Sequence, residues 1–191
     1  MNEHHLYIEI FKTREELDEL IKEYWHVYSN MGTGFFWINL ATLIVPLVIW
    51  IALVDRERVF EITFFGFFIH VLWNMIGGFL SNSNYFIHPH TLSYILPEGI
   101  AATAVLFPVV FMLIYQYCTN HKKNFWLYSA IGCFLFAYGY NLPLIVIDMV
   151  RLHKGMTLFY LAMIDIVVIF LSYGITLLFL KLRGTSDSTK G

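Results

Sequence analysis

The chain has 191 residues, of which 58% are hydrophobic and only 14% are charged. Soluble domains average about 45–50% apolar and about 25% charged residues, so this excess does not fit inside one water-soluble core. The net charge of −2 and the lack of a Lys/Arg cluster argue against a nucleic-acid partner. With only two cysteines, Cys118 and Cys133, neither a disulfide framework nor a thiolate metal site is supported.

An amphipathic helix is predicted before the first membrane span. Thr13 and Glu16 have the spacing of a capping box, which predicts a helix from about Arg14 to Tyr28. Its apolar side consists of Leu17, Leu20, Ile21, Tyr24, Trp25 and Tyr28. This side is expected to dock onto the bundle or the headgroup region, or to recruit a partner. The acidic opposite side argues against attraction to anionic lipid.

Five apolar runs follow, each about 20 residues long, which is the length that crosses a hydrocarbon layer of about 30 Å. The predicted spans are Phe35–Val54, Val59–Leu80, Gly99–Cys118, Phe125–Val150 and Met156–Leu180. The sequence therefore predicts an all-α membrane helical bundle of five transmembrane helices with an N-terminal amphipathic helix. The predicted divisions are an N-terminal tail (1–34), the transmembrane domain (35–180) and a polar C-terminal tail (181–191).

Positive charges near the span ends predict the orientation, because Lys and Arg are enriched in cytoplasmic loops. One side of the predicted bundle carries Arg56, Arg58, Lys122, Lys123, Lys181, Arg183 and Lys190. The other side carries Lys22, Arg151 and Lys154, and the long link 81–97 has no Lys or Arg. We expect a multi-pass protein of the cell membrane with its N-terminus outside and its C-terminus in the cytoplasm.

Asp165 lies inside the fifth predicted span, where a carboxylate costs about 2.5–3.5 kcal/mol on an insertion scale. A helical wheel places small or polar residues beside it, so this stripe is predicted to face the bundle. The stripe also contains Ala162, Ile169, Ser172 and Thr176. Asp165 is interpreted either as a proton carrier, cation ligand or acid catalyst, or as a hydrogen-bonded structural residue.

A second polar stripe is predicted on the second span. It consists of Thr63, Gly66, His70, Asn74 and Gly77. The opposite, lipid-facing side is predicted to consist of Phe64, Phe65, Phe68, Leu72, Ile76 and Phe79. His70 and Asn74 are expected to bond to each other or to Asp165. The predicted intramembrane polar cluster is His70, Asn74, Asp165 and Ser172, with ordinary interhelical hydrogen bonding as the alternative interpretation.

Other polar or irregular positions have local interpretations. The spacing of Arg58 with Glu61, and of Asp148 with Arg151, predicts ion pairs at span ends. Prolines inside the third and fourth spans each remove a backbone hydrogen bond and predict a bend. These prolines are Pro108 and Pro143.

The link after the second span contains two histidines and is followed by an acid. His88 and His90 are weak metal candidates, because metal sites usually need three or four ligands. Glu98 is the nearest carboxylate and a candidate proton donor. No cofactor or metal is predicted, and no hydrolase or nucleotide motif is present in the sequence.

From Ile49 to the last span the sequence resembles a family of small, uncharacterised multi-pass membrane proteins of endospore-forming Gram-positive bacteria. The resemblance rests on Trp50–Ile62 (WIALVDRERVFEI) and Phe107–Tyr117 (FPVVFMLIYQY). It implies a helical membrane protein in a bacterial cytoplasmic membrane and names no chemistry. The family pattern implies acids before the prolines of the third and fourth spans, where this chain has Thr103 and Leu142.

Three classes of function are compatible with these features. The leading hypothesis is a non-enzymatic membrane protein with a structural or interaction role, in which helix packing explains the polar stripes. The second is an enzyme acting on a lipid or isoprenoid, with Asp165, His70 or Glu98 donating a proton. The third is a small proton- or cation-coupled transporter subunit that uses Asp165. The expected partners are the lipid bilayer and either a second membrane protein or another copy of the chain.

Overall fold

The computed structural model describes residues 2–188, which form six helices and one two-stranded ribbon. The helices are α1 (Glu3–Tyr28), α2 (Gly34–Leu53), α3 (Val59–Asn82), α4 (Ala101–Asn120), α5 (Phe125–Val146) and α6 (Leu158–Ser188). Five of them, α2 to α6, are long and apolar enough to cross a membrane. The predicted all-α bundle is therefore confirmed, and the chain is a multi-pass membrane protein.

The predicted start of the amphipathic helix is wrong. α1 begins at Glu3, where the Asn2 side chain accepts a hydrogen bond from the backbone N–H of His4 at 3.4 Å. The Thr13 hydroxyl donates to the carbonyl of Glu9 at 2.8 Å, one turn earlier. Thr13 therefore lies inside the helix instead of capping it.

At the other end of the chain, α6 continues through Ser188, beyond the predicted span end at Leu180. The first eight residues of the predicted polar tail therefore extend the last helix. Lys190, which contributed to the orientation, lies outside the described residues.

A wide π-helical turn lies just before each of the two prolines that predict a bend. The turn Ala101–Leu106 precedes Pro108 in α4, and Phe136–Asn141 precedes Pro143 in α5. Proline has no N–H to donate, so the turn before it is free to widen. Because α4 begins and α5 ends at the same end of the bundle, both wide turns lie toward that end.

The two ends of the bundle carry different structures. One end, here called the cap, comprises α1 and the links 83–100 and 147–157. Its links are joined by antiparallel pairing of β1 (Phe86–Ile87) with β2 (Arg151–Leu152). The opposite end has the short links 54–58 and 121–124, which hold four of the basic residues used to predict the orientation.

Both predicted ion pairs are confirmed. Arg58 Nε lies 3.4 Å from Glu61 Oε2, and Arg58 Nη1 also donates to Thr119 Oγ1 at 2.9 Å. This network joins the start of α3 to the end of α4. At the cap, Arg151 Nε donates to Asp148 Oδ1 at 2.7 Å.

The predicted faces of α3 are partly wrong. Phe65, expected to face lipid, is fully buried, and Thr63, expected to face inward, is exposed. Phe65 packs against Tyr115 of α4 and Phe125 of α5, with ring centroids 4.8 Å and 5.7 Å away. In a membrane span, close packing between helices decides which side faces inward, and the ring contacts of Phe65 provide this packing. The buried side of α3 consists of Ile62, Phe65, Gly66, Ile69, Trp73 and Leu80.

The stripe predicted around Asp165 is confirmed as an inward face. Each of its members is at most 1% exposed. These residues are Ala162, Asp165, Ile169, Ser172 and Thr176. Their small or short side chains let α6 pack closely against its neighbours.

Gly66 provides a test of the contact between α3 and α4. A Cβ at Gly66 would lie 2.3 Å from Met112 Sδ, so Gly66→Val should lower the free energy of unfolding by about 1–3 kcal/mol. Gly174→Val is the matched control, because a Cβ there would meet no atom within 4 Å. Denaturant titration in detergent micelles measures both variants. Equal stability of the two variants would contradict the packing described here.

Candidate functional site

Asp165 is hydrogen-bonded to a tryptophan in the bundle interior. Trp73 Nε1 of α3 donates to Asp165 Oδ1 at 2.9 Å, and both residues are buried. Ser172 and Thr176 each donate 2.8 Å to a backbone carbonyl one turn earlier in α6. These three polar side chains of α6 thus have partners inside the protein.

His70 and Asn74 bond to each other, as their spacing predicts. Asn74 Nδ2 lies 3.2 Å from His70 Nδ1 and donates to the His70 carbonyl at 2.7 Å. Among the residues that the structure describes, no hydrogen bond joins this pair to Asp165 or Ser172. The four residues of the predicted polar cluster therefore fall into separate groups.

Trp73, the hydrogen-bond partner of Asp165, was not among the residues that the sequence pattern indicated. Trp73 lies on the buried side of α3, whereas His70 and Asn74 lie at the edge of that side and are half-buried. One signal was available, since an indole N–H in the middle of a membrane span needs an acceptor that lipid does not offer.

A cavity of about 650 Å³, here called the cap cavity, lies between α1 and the cap end of α3. α1 contributes Leu20, Ile21, Tyr24 and Trp25 to its wall. α3 contributes Asn74, Gly77, Gly78, Ser81 and Asn82, and the link 83–100 encloses much of the rest. Thr103 of α4 and Arg151 of β2 also line the cavity. Of the four residues in the predicted cluster, only Asn74 lines this cavity.

The cavity exists because the link is fastened to the end of α1 and the start of α2. Trp25 Nε1 donates to the Thr91 carbonyl at 3.2 Å. His90 Nδ1 lies 3.0 Å from Ser29 Oγ, within hydrogen-bond distance. The His90 ring also stacks on the Phe35 ring, and their centroids are 3.7 Å apart. His90, a weak metal candidate, is therefore occupied by contacts that hold the link. The C-terminal end of α1 is therefore docked onto the cap link of the bundle, as predicted for the amphipathic helix.

Glu98 lies at the polar side of the cap cavity. Its Oε2 accepts hydrogen bonds from Ser81 Oγ at 2.8 Å and from the backbone N–H of His88 at 3.3 Å. Gly99, next to it, has φ +65°, and a Cβ there would lie 2.4 Å from the His88 ring. The link therefore needs glycine at this position, both for its left-handed backbone and for contact with His88.

His88 and Asp148 at the cap have shifted pKa values. Burial lowers the pKa of His88 to about 4, so the ring is neutral at neutral pH. The hydrogen bonds from Arg151 hold the pKa of the Asp148 carboxyl below its usual range. Within residues 2–188 no three His, Cys, Asp or Glu side chains are grouped to hold a metal ion, and His88 and His90 contact different neighbours.

Comparison of the chain with protein-family models, curated proteins and solved structures finds no match. The resemblance to small membrane proteins of endospore-forming bacteria therefore stays a prediction.

The hydrogen bond between Trp73 and Asp165 predicts a specific loss of stability. Trp73→Phe should lower the free energy of unfolding in detergent by about 1–2 kcal/mol, because it leaves a buried carboxyl group without its donor. Trp50→Phe is a matched control, since the buried Trp50 Nε1 has no partner among the described residues. An equal loss in both variants would show that the hydrogen bond contributes nothing.

His88 predicts a dependence of stability on pH. The pKa of His88 is about 4 in the folded chain and about 6.5 in the unfolded chain. At pH values between these two, His88 is therefore protonated in the unfolded state and neutral in the folded state. The free energy of unfolding should therefore fall by about 1–2 kcal/mol from pH 7 to pH 5, and His88→Gln should reduce this fall. Burial also lowers the pKa of His90, so His90 contributes to the pH dependence that remains in His88→Gln.

The control for this variant is His153→Gln, which changes an exposed histidine of the same end of the bundle. Chemical unfolding at the two pH values is the measurement. A pH dependence that is the same in His88→Gln and in the unmodified protein would contradict the assignment to His88.

Proposed function

We propose that the protein is a non-enzymatic membrane protein with an interaction role, and that it binds an amphipathic, lipid-like molecule in the cap cavity. The observation that carries the proposal is the cavity, whose volume of about 650 Å³ matches a small-molecule site. Such sites usually measure about 300–1,000 Å³. The cavity lies where a membrane span ends, which is where amphipathic molecules concentrate.

The shape and lining of the cap cavity support an elongated ligand. Its contacts on α3 run from Asn74 to Asn82, which corresponds to about 12 Å along the helix. Gly77 and Gly78 leave this side of α3 without bulky side chains. The apolar wall from α1 faces one side, and Glu98 provides a charged group, so a molecule with an apolar chain and a polar head fits the lining.

A lipid- or isoprenoid-modifying enzyme is the second candidate. Glu98 favours it, because a carboxyl group beside a bound lipid is placed to transfer a proton. The other proposed proton donors, His70 and Asp165, are not part of the cavity lining. Asp165, which a transporter would use, accepts its hydrogen bond from Trp73. The geometry therefore supports binding better than chemistry or transport.

The location and the partners are part of the proposal. Leu6, Ile10 and Leu17 are exposed and continue the apolar side of α1 that faces the cap cavity at Leu20 and Ile21. This continuity supports a bilayer surface as the partner of the N-terminal half of α1. We place the cap outside and the C-terminus in the cytoplasm of a bacterial cell membrane, in line with the charge distribution.

Filling the cavity tests this proposal. Gly78 lines the cap cavity and a Cβ there would meet no atom within 4 Å, so we expect the indole of Gly78→Trp to occupy part of the cavity. Native mass spectrometry of the purified protein should show a bound lipid-like molecule that the variant loses. Gly174→Trp, equally unobstructed in α6, should retain it. Protein that carries no such molecule, or loses it equally in both variants, would contradict the proposed function.

A further inference from the structure

We infer that the cap cavity selects amphiphiles with a positively charged ammonium headgroup and that Glu98 binds this charge. The inference rests on the proposed function and adds the chemical class of the ligand. It follows from the charges of the lining, from the way Glu98 is held, and from the aromatic rings in the same lining.

The lining carries one uncompensated charge. Its two ionised side chains are Glu98 and Arg151. Arg151 is neutralised by Asp148, which accepts two hydrogen bonds from the guanidinium. In the part of the chain that the structure describes, no Lys, Arg or His side chain forms an ion pair with Glu98. The cavity is therefore negative, which favours a cation over an anion.

Glu98 is oriented with one oxygen left for a ligand. Both of its hydrogen bonds, from Ser81 and from the His88 backbone, go to Oε2. Oε1 accepts no hydrogen bond from residues 2–188. A carboxylate held on one side and open on the other can accept a charge-assisted hydrogen bond from an ammonium N–H. A neutral alcohol offers a weaker donor, and an anionic headgroup offers repulsion.

Aromatic rings in the lining provide a second contact for a cation. Tyr24, Trp25 and Tyr94 all line the cavity, and the rings of Trp25 and Tyr94 meet edge to face with centroids 5.6 Å apart. Ring faces attract cations electrostatically, and the attraction grows where water is excluded. The apolar residues Leu20 and Ile21 of the same wall leave room for an alkyl chain.

Binding of three probes to the purified full-length protein tests the inference. The probes are radiolabelled dodecylamine, dodecanol and propylamine, measured in maltoside micelles at neutral pH. We expect dodecylamine to bind most tightly, and Glu98→Gln to weaken its binding about tenfold while leaving dodecanol binding unchanged. Glu57→Gln, at the exposed opposite end, is the control for a general change of charge.

The outcomes separate this inference from the proposed function. Equal binding of dodecylamine and dodecanol, or no effect of Glu98→Gln, would overturn the cation selectivity and leave amphiphile binding intact. Equal binding of propylamine and dodecylamine would show that the alkyl chain contributes nothing and would contradict amphiphile binding. Binding of none of the probes would contradict both the proposed function and the cation selectivity. Tyr94→Leu is a second variant that keeps Glu98, and it should weaken dodecylamine binding more than dodecanol binding.

Discussion

The hydrogen bond from Trp73 to Asp165 fixes how the second and fifth transmembrane helices face each other. A carboxyl group in hydrocarbon has no water to bind, so it needs a donor from the protein. Trp73 provides it at 2.9 Å, across 92 positions of sequence. With Trp73 turned into the bundle, Asn74 lies about 100° further around the helix and faces the cap cavity.

The cap depends on the contacts that fasten its link. Gly78, about 140° further around the helix than Trp73, lines the cavity. His90 then holds the link against α1 and α2, while the ribbon of β1 and β2 joins it to the second link. Glu98, on the link so fastened, lines a cavity whose other ionised group is already paired.

The sequence predicted the features that depend on the length or the periodicity of a single segment. Five spans follow from apolar length, and the inward stripe on α6 follows from the expense of burying Asp165 in lipid. The inward side of α3 did not follow, because a wheel that seeks small and polar residues ranks Thr63 above Phe65, whereas aromatic packing decides the observed face. Glu98 was a candidate, but its cavity depends on distant contacts such as Trp25 to Thr91, which leave no periodic signal.

A structure determined in lipid nanodiscs would show whether the cap cavity is a binding site. We expect elongated density between α1 and α3, with its polar end within hydrogen-bond distance of Glu98 Oε1 and its chain beside Gly77 and Gly78. A cap in which α1 packs directly onto these glycines, with no space between them, would contradict this expectation.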